Sequence, residues 1–201
     1  MSATKPLQLR FAGSAASDAD LPGFGAEVAV AGRSNVGKSS LINALANQRD
    51  LARTSKSPGR TQMLNAFELC EGPEPHPGVI DLPGYGYAAV PDHLRREWGP
   101  MIESYLLGSE VLEMVLVLID GEVGPTRLDL GMLEWVRHNQ LPHSVVATKH
   151  DKVKASKRDR RRRDLAAGCD LEPRDVLWVS AHKGVNVDLL RSRIRGWLLA
   201  A

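Results

Sequence analysis

The chain has 201 residues, enough for one domain with a sizeable core. With 43% hydrophobic and 25% charged residues it is composed like a soluble globular protein, and a net charge of +2 implies little about partners until its distribution is known. The longest apolar stretch, VLVLI at 115–119, is too short to cross a bilayer, and the two cysteines, Cys70 and Cys169, lack the spacing of a disulfide framework or metal site.

That cysteine usage fits a reduced compartment, so a cytoplasmic protein is expected. Residues 1–22 read as an N-terminal arm, part strand and part loose chain. They hold no long apolar core, so no cleaved signal peptide is expected. Residues 23–201 read as a single domain in which short apolar runs alternate with helical periodicity. EVAVA (27–31) reads as a buried strand, with a helix over 38–47 behind it. The polar, basic NQRDLARTSKSPGRTQ (47–62) has no clear period, and so long a loop in a compact domain is usually functional or disordered. NAFEL (65–69) and GVID (78–81) read as two strands of a hairpin joined through the proline-rich EGPEPHPG (71–78). Strands at 111–120, 143–149 and 175–180 then alternate with helices at 92–107, 126–139, 156–167 and 186–199. In the last helix Val187, Leu190, Ile194 and Trp197 recur as a buried stripe, and Arg191 and Arg195 lie off it. The pattern predicts an α/β fold, a mostly parallel six-stranded sheet with helices on both faces and its ligand at the carboxyl edge.

Residues 32–39, GRSNVGKS, match GxxxxGK(S/T) between a predicted strand and a predicted helix. Gly32 and Gly37 let the backbone turn its amide groups toward phosphate oxygens, and the helix N-terminus adds positive potential. Lys38 would reach the β- and γ-phosphates, and Ser39 would place its hydroxyl on Mg²⁺. Asp81-Leu82-Pro83-Gly84 ends a strand 43 residues after Lys38. There the acid can hold Mg²⁺ through water, and the Gly84 N–H can contact a γ-phosphate. Thr148-Lys149-His150-Asp151 follows another strand. Asp151 can accept from both N1–H and N2–H of guanine, a donor pair that adenine lacks, and the Lys149 stem would cover the ring. In Ser180-Ala181-His182-Lys183 a tight turn can offer the Ala181 N–H to guanine O6. Taken singly, the last three motifs are also ordinary strand-end turns. In this order, each at a strand end, they resemble the translation-factor-type GTPases of the P-loop superfamily, which implies a Ras-like G domain.

The likeness narrows over LPGFGAEVAVAGRSNVGKSSLINAL (21–45), LARTSKSPGRTQMLNAFEL (51–69), DLPGYGYA (81–88) and TKHDK (148–152). These stretches resemble the EngB (YihA/YsxC) family of ribosome-biogenesis GTPases, SPGRTQ joined to DLPGYGYA being the most specific piece. The resemblance implies a monomeric GTPase that associates with the large ribosomal subunit, its RNA and proteins, during assembly, with a link to cell division and septation and with neither DNA nor membrane as partner. It implies that 47–62 is a first switch, with Thr61 joining Ser39 and Asp81 around Mg²⁺, and that a second switch begins at Asp81. The positions expected at GTP or GDP are Gly32, Arg33, Ser34, Asn35, Val36, Gly37, Lys38, Ser39 and Ser40, then Ser57, Pro58, Gly59, Arg60 and Thr61. Asp81, Leu82, Pro83 and Gly84 follow, and Thr148, Lys149, His150, Asp151, Val179, Ser180 and Ala181 surround the base. Lys38, Thr61 and Gly84 are expected to act on the reaction itself.

Tyr85 falls where Ras-like enzymes carry a water-orienting glutamine. It is expected to anchor the second switch by packing, which implies hydrolysis that is slow alone and stimulated by the ribosome or an ion. Asn35 either helps seat K⁺ near the phosphates, as in related GTPases with GxxNxGKS, or merely shapes the loop. KVKASKRDRRRRD (152–164) packs eight lysines and arginines into thirteen residues. It reads either as a solvated charged helix or as a contact to ribosomal RNA phosphate, which four consecutive arginines favour. The six histidines lack ligand spacing, so no zinc site is expected, and Trp98, Trp135, Trp178 and Trp197 read as packing residues. Two other functions stay open, a GTP-dependent binding module with incidental turnover and a P-loop kinase acting on a metabolite; TKHD speaks against the second.

Overall fold

A computed structural model describes residues 4–52, 63–85 and 92–200, with the backbone alone for 92–98. Seven strands, β1 (Leu9–Ala15), β2 (Glu27–Gly32), β3 (Leu64–Leu69), β4 (Gly78–Asp81), β5 (Leu112–Asp120), β6 (His143–Thr148) and β7 (Val176–Trp178), form one sheet in the order β1-β3-β4-β2-β5-β6-β7. The pairs from β4 through β7 are parallel, and β1–β3 and β3–β4 are antiparallel. The helices are α1 (Lys38–Ala46), α2 (Asp92–Gly108), α3 (Arg127–His138), α4 (Arg158–Gly168) and α5 (Val187–Leu199). This is the Ras-like α/β fold.

Strand alternation divides the interior into two cores. Val28, Val30, Leu116 and Leu118 face α1 and α5, where they meet Leu41, Leu45, Leu190 and Ile194. Their neighbours Ala29, Ala31, Val117 and Ile119 face the other way, toward Tyr105 of α2, Val136 of α3 and Leu165 of α4. Such central strands are apolar on both faces, which is why they read as continuous hydrophobic runs.

The sheet has seven strands where six were expected. The additional one, β1, comes from the segment read as an arm. It is an edge strand whose burial falls at its two ends while Arg10, Phe11 and Ser14 stay exposed or half-buried, so it shows no regular alternation. Arginines of α5 tie the chain ahead of it down. Arg195 donates to the carbonyls of Lys5 and Pro6 and pairs with Glu71. Arg191, off the apolar stripe as expected, is nonetheless buried. It donates to Leu45 O at 2.9 Å and Ala44 O at 2.7 Å and pairs with Asp188 at 2.7 Å. Those carbonyls belong to the last turn of α1; Ala44 O also accepts the Asn47 N–H at 3.2 Å and Leu45 O the Leu7 N–H at 3.0 Å, and the guanidinium completes the cap of the helix that starts at the phosphate loop. Replacing Arg191 by leucine should therefore lower unfolding free energy by about 1.5–3 kcal/mol in denaturant titrations, because it removes two charge-assisted hydrogen bonds to buried carbonyls.

Candidate nucleotide-binding site

The phosphate loop turns between β2 and α1 through two left-handed residues, Asn35 (φ 64°) and Gly37 (φ 109°). Asparagine tolerates that conformation better than most residues, so loop shape alone accounts for Asn35. Gly32 admits no side chain, because a Cβ there would lie 2.8 Å from Val36 Cγ1. Lys38 donates to the Gly32 carbonyl at 3.2 Å, folding its ammonium back over the loop. Ser39 is half-buried and Ser40 exposed at the mouth.

Asp81, at the end of β4, is buried, and its Oδ1 has no hydrogen-bond partner among the described residues. Burial raises its pKa to about 6, an effect opposed by the Lys38 charge. Burial equally draws the Lys38 ammonium below its usual range, an effect opposed by Asp81. An orphaned carboxylate oxygen beside a phosphate loop fits a hard cation or its bound water. With the Ser39 hydroxyl, Asp81 offers the oxygen donors that Mg²⁺ prefers. Thr61, the third expected ligand, lies outside the described residues with Ser57, Pro58, Gly59 and Arg60.

Gly84 is pressed against this pair, since a Cβ on it would stand 2.9 Å from Ser34 Oγ and 3.0 Å from Lys38 Nζ. Ser34 holds it there, donating from Oγ to Gly84 O at 3.1 Å and from its N–H to Tyr85 O at 3.0 Å. Leu82 and Pro83 are buried beneath. The Tyr85 ring packs on the core that faces α3, as an anchor would. Burial, with Asp129 beside it, pushes its hydroxyl far above the usual phenol range, an effect opposed by Arg33. Only the backbone of Arg33 belongs to the cradle. Its Nε donates to both oxygens of the fully buried Asp129, at 3.0 and 3.2 Å. Asp129 in turn closes the capping box of α3 with Thr126.

The base motifs meet the phosphate loop directly. Thr148 donates from Oγ1 to Val36 O at 2.7 Å and to Ile119 O at 3.3 Å. Lys149 is left-handed (φ 55°), and its ammonium reaches Asp120 Oδ2 at 2.6 Å. The His150 N–H donates to Val179 O at 3.0 Å, whereas its ring is buried edge-on against Trp178. The Val179 side chain lies in the core. Asp151 is half-buried and accepts Ser180 Oγ at 2.6 Å, a bond that, ahead of other effects, holds its carboxyl below the usual range. Ala181 and Ser40 line one cavity of about 530 Å³ with Asn43, Ala44 and Arg49 of the neighbouring chain. The described candidate residues are thus brought together along the carboxyl edge, except the side chains of Arg33, Val36, Leu82, Pro83, His150 and Val179, which are engaged elsewhere in the fold.

A family model described as "50S ribosome-binding GTPase" matches residues 27–149. The EngB GTP-binding proteins of Geobacter sulfurreducens and Citrifermentans bemidjiense are 42% and 41% identical, over 86% and 100% of this chain and 82% and 86% of those relatives. The chain belongs to the EngB family. Among solved structures, an EngB crystal structure superposes with a TM-score of 0.69 at 24% identity, over 86% of this chain and 98% of that one. Era in complex with MgGDPNP and nucleotides 1506–1542 of 16S ribosomal RNA gives 0.66 at 25% identity, over 86% and 56%. As a member of the EngB family this protein binds GTP and GDP and hydrolyses GTP.

Three polar residues of the site lie outside the nucleotide motifs. Asn43, on α1, donates to Arg49 O and Ala52 O and accepts from Ala52 N–H, pinning the chain that leads toward residue 53. Asp129 holds Arg33. Asp120 holds Lys149; its one sequence signal is that VLVLID ends in an acid as GVID does.

A carboxyl that titrates near 6 in the fold, against an ordinary value of 3.8, binds its proton more tightly folded than unfolded. Stability contributed by that proton is complete below the unfolded value and lost as pH rises through the folded one. In thermal melts of nucleotide-free, metal-free protein, wild type should therefore lose Tm relative to Asp81→Asn as pH rises from about 4 to about 6.5. Parallel curves for the two proteins would contradict the buried placement of Asp81.

Proposed function

We propose that this EngB-family GTPase is a switch in assembly of the large ribosomal subunit, acting in the cytoplasm as a monomer and linked to septation through ribosome supply. The observation that carries the switch is the placement of Gly84, held by Ser34 against Lys38. A γ-phosphate must engage or displace that main chain, so its presence is felt at the start of the second switch. Lys38 and the loop amides bind the phosphates, while Asp151, Lys149 and the Ala181 N–H read guanine. Ser39, Asp81 and Thr61 hold Mg²⁺, which when bound offsets charge on the β- and γ-phosphates. Tyr85, protonated and packed away, cannot serve as a base, which favours slow hydrolysis in the free protein. K⁺ beside Asn35 would add to the positive charge that Lys38 brings to the phosphates. Rates of GTP hydrolysis should accordingly be several-fold higher in KCl than in NaCl at matched ionic strength; equal rates would remove K⁺ from the reading.

The ribosomal partner is supported by the description of the matching family and by the RNA-bound Era relative. The basic helix α4 and the turn before it add a surface, narrower than the five arginines of the helix suggest. Arg158 donates to Val153 O, Arg161 donates to Val123 O, and Arg162 is half-buried. Lys154, Lys157, Arg160 and Arg163 stay exposed, Arg160 only loosely paired with Asp164 at 3.5 Å. These four are assigned to RNA phosphate. Cosedimentation with large subunits should require a GTP analogue and fail for Lys38→Ala. Each phosphate contact removed by Arg160→Ala or Arg163→Ala should lessen the salt slope of binding by about one. An unchanged slope would place the RNA contact elsewhere.

A further inference from the structure

Asp120, the last residue of β5, is buried and belongs to no motif. One of its carboxylate oxygens accepts the backbone N–H of Glu122 at 2.9 Å and of Val123 at 3.2 Å. The other accepts the Lys149 ammonium at 2.6 Å. Lys149 is therefore held from two directions, its main chain through the neighbouring Thr148 on Val36 O and the tip of its side chain on Asp120.

We propose that Asp120 is a positioning residue of the guanine site: it fixes the Lys149 stem where the purine ring lies and so sets guanine-nucleotide affinity without touching the nucleotide. The proposal rests on the reading of Lys149 as the residue that covers the base. A lysine side chain has four flexible bonds and a strongly hydrated head, and ordering it at the moment of binding weakens affinity. An acid that grips the head beforehand moves that entropy loss into folding, leaving the stem preorganised. Asp120 is suited to this because two backbone N–H groups fix its own carboxylate. A role as loop cap alone accounts for the first oxygen and leaves the contact of the second unexplained.

Asp120→Asn separates the two roles, since its amide oxygen can still cap Glu122 and Val123 while the charge facing Lys149 is gone. GDP and a non-hydrolysable GTP analogue should both bind about tenfold more weakly, by the same factor, as expected for loss of a charge-assisted bond. Single-turnover hydrolysis of bound GTP should stay within about twofold of wild type, because the loss is one of uniform binding. In a Lys149→Met background Asp120→Asn should weaken GDP binding no further, as two residues acting through one contact must. Wild-type GDP affinity in folded Asp120→Asn, additive losses in the double variant, or a loss confined to the GTP analogue would each overturn the proposal. If Asp120→Asn does not fold, Asp120→Ser, which can cap but cannot reach Lys149, carries the same cycle. Full GDP affinity in Lys149→Met would instead overturn the assignment of Lys149 to the base, and the proposal with it.

Discussion

Burying an ammonium and a carboxylate at one strand–helix junction is unfavourable unless each finds compensation. Lys38 and Asp81 compensate one another only in part, as their opposite displacements from normal titration show, and Asp81 retains an oxygen with no partner among the described residues. The rest of the structure serves to keep that frustrated pair in place. Parallel β2 and β4 set the register of Val30 against Asp81, Gly32 and Gly84 leave room that a methyl group would fill, and Arg191 secures the far end of α1. A phosphate chain would give Lys38 the anionic partner it lacks, and the cation proposed at Asp81 would do the same for the carboxylate, so the arrangement that weakens the empty fold would strengthen binding.

The phosphate and base ends of the site share a core through Val36 and Val179 and are joined besides by short polar contacts. Thr148 bonds the carbonyl of Val36, and the segment from β5 into α3 provides an acid to each side, Asp120 for Lys149 and Asp129 for Arg33. That segment lies between both ends of the nucleotide site. Threonine at 148 suffices because its hydroxyl reaches both Val36 O and Ile119 O.

Much of this was legible in the sequence. The central strands and all five helices followed from apolar runs and period, and the motif order placed the nucleotide at the carboxyl edge. Edge strand β1 was legible only as strand character somewhere within an arm, because a strand buried mainly at its ends shows no alternation. The roles of Asp120 and Asp129 were not, because each holds a cation distant in sequence, although Thr126-x-x-Asp129 has the spacing of a capping box. Asn43 was not, because a single amide between apolar residues has no period to betray it. Arg191 lay off the stripe, as read, yet is buried; its aliphatic stem tolerates that position while the guanidinium finds carbonyls that only the folded α1 presents.

The residue that stands in place of glutamine bears on how such a site reaches its rate. Ser34 and Tyr85 share a main-chain bond, so the aromatic side chain and Gly84 belong to one stretch pinned to the phosphate loop. The ring lies beside the buried Arg33–Asp129 pair and cannot swing toward a γ-phosphate without abandoning its packing. Its hydroxyl, held protonated by burial, could not take a proton from water in any case. An aromatic side chain here serves packing rather than the orientation of water. On the proposed reading, orienting the attacking water would fall to the backbone and to an outside partner that completes the site.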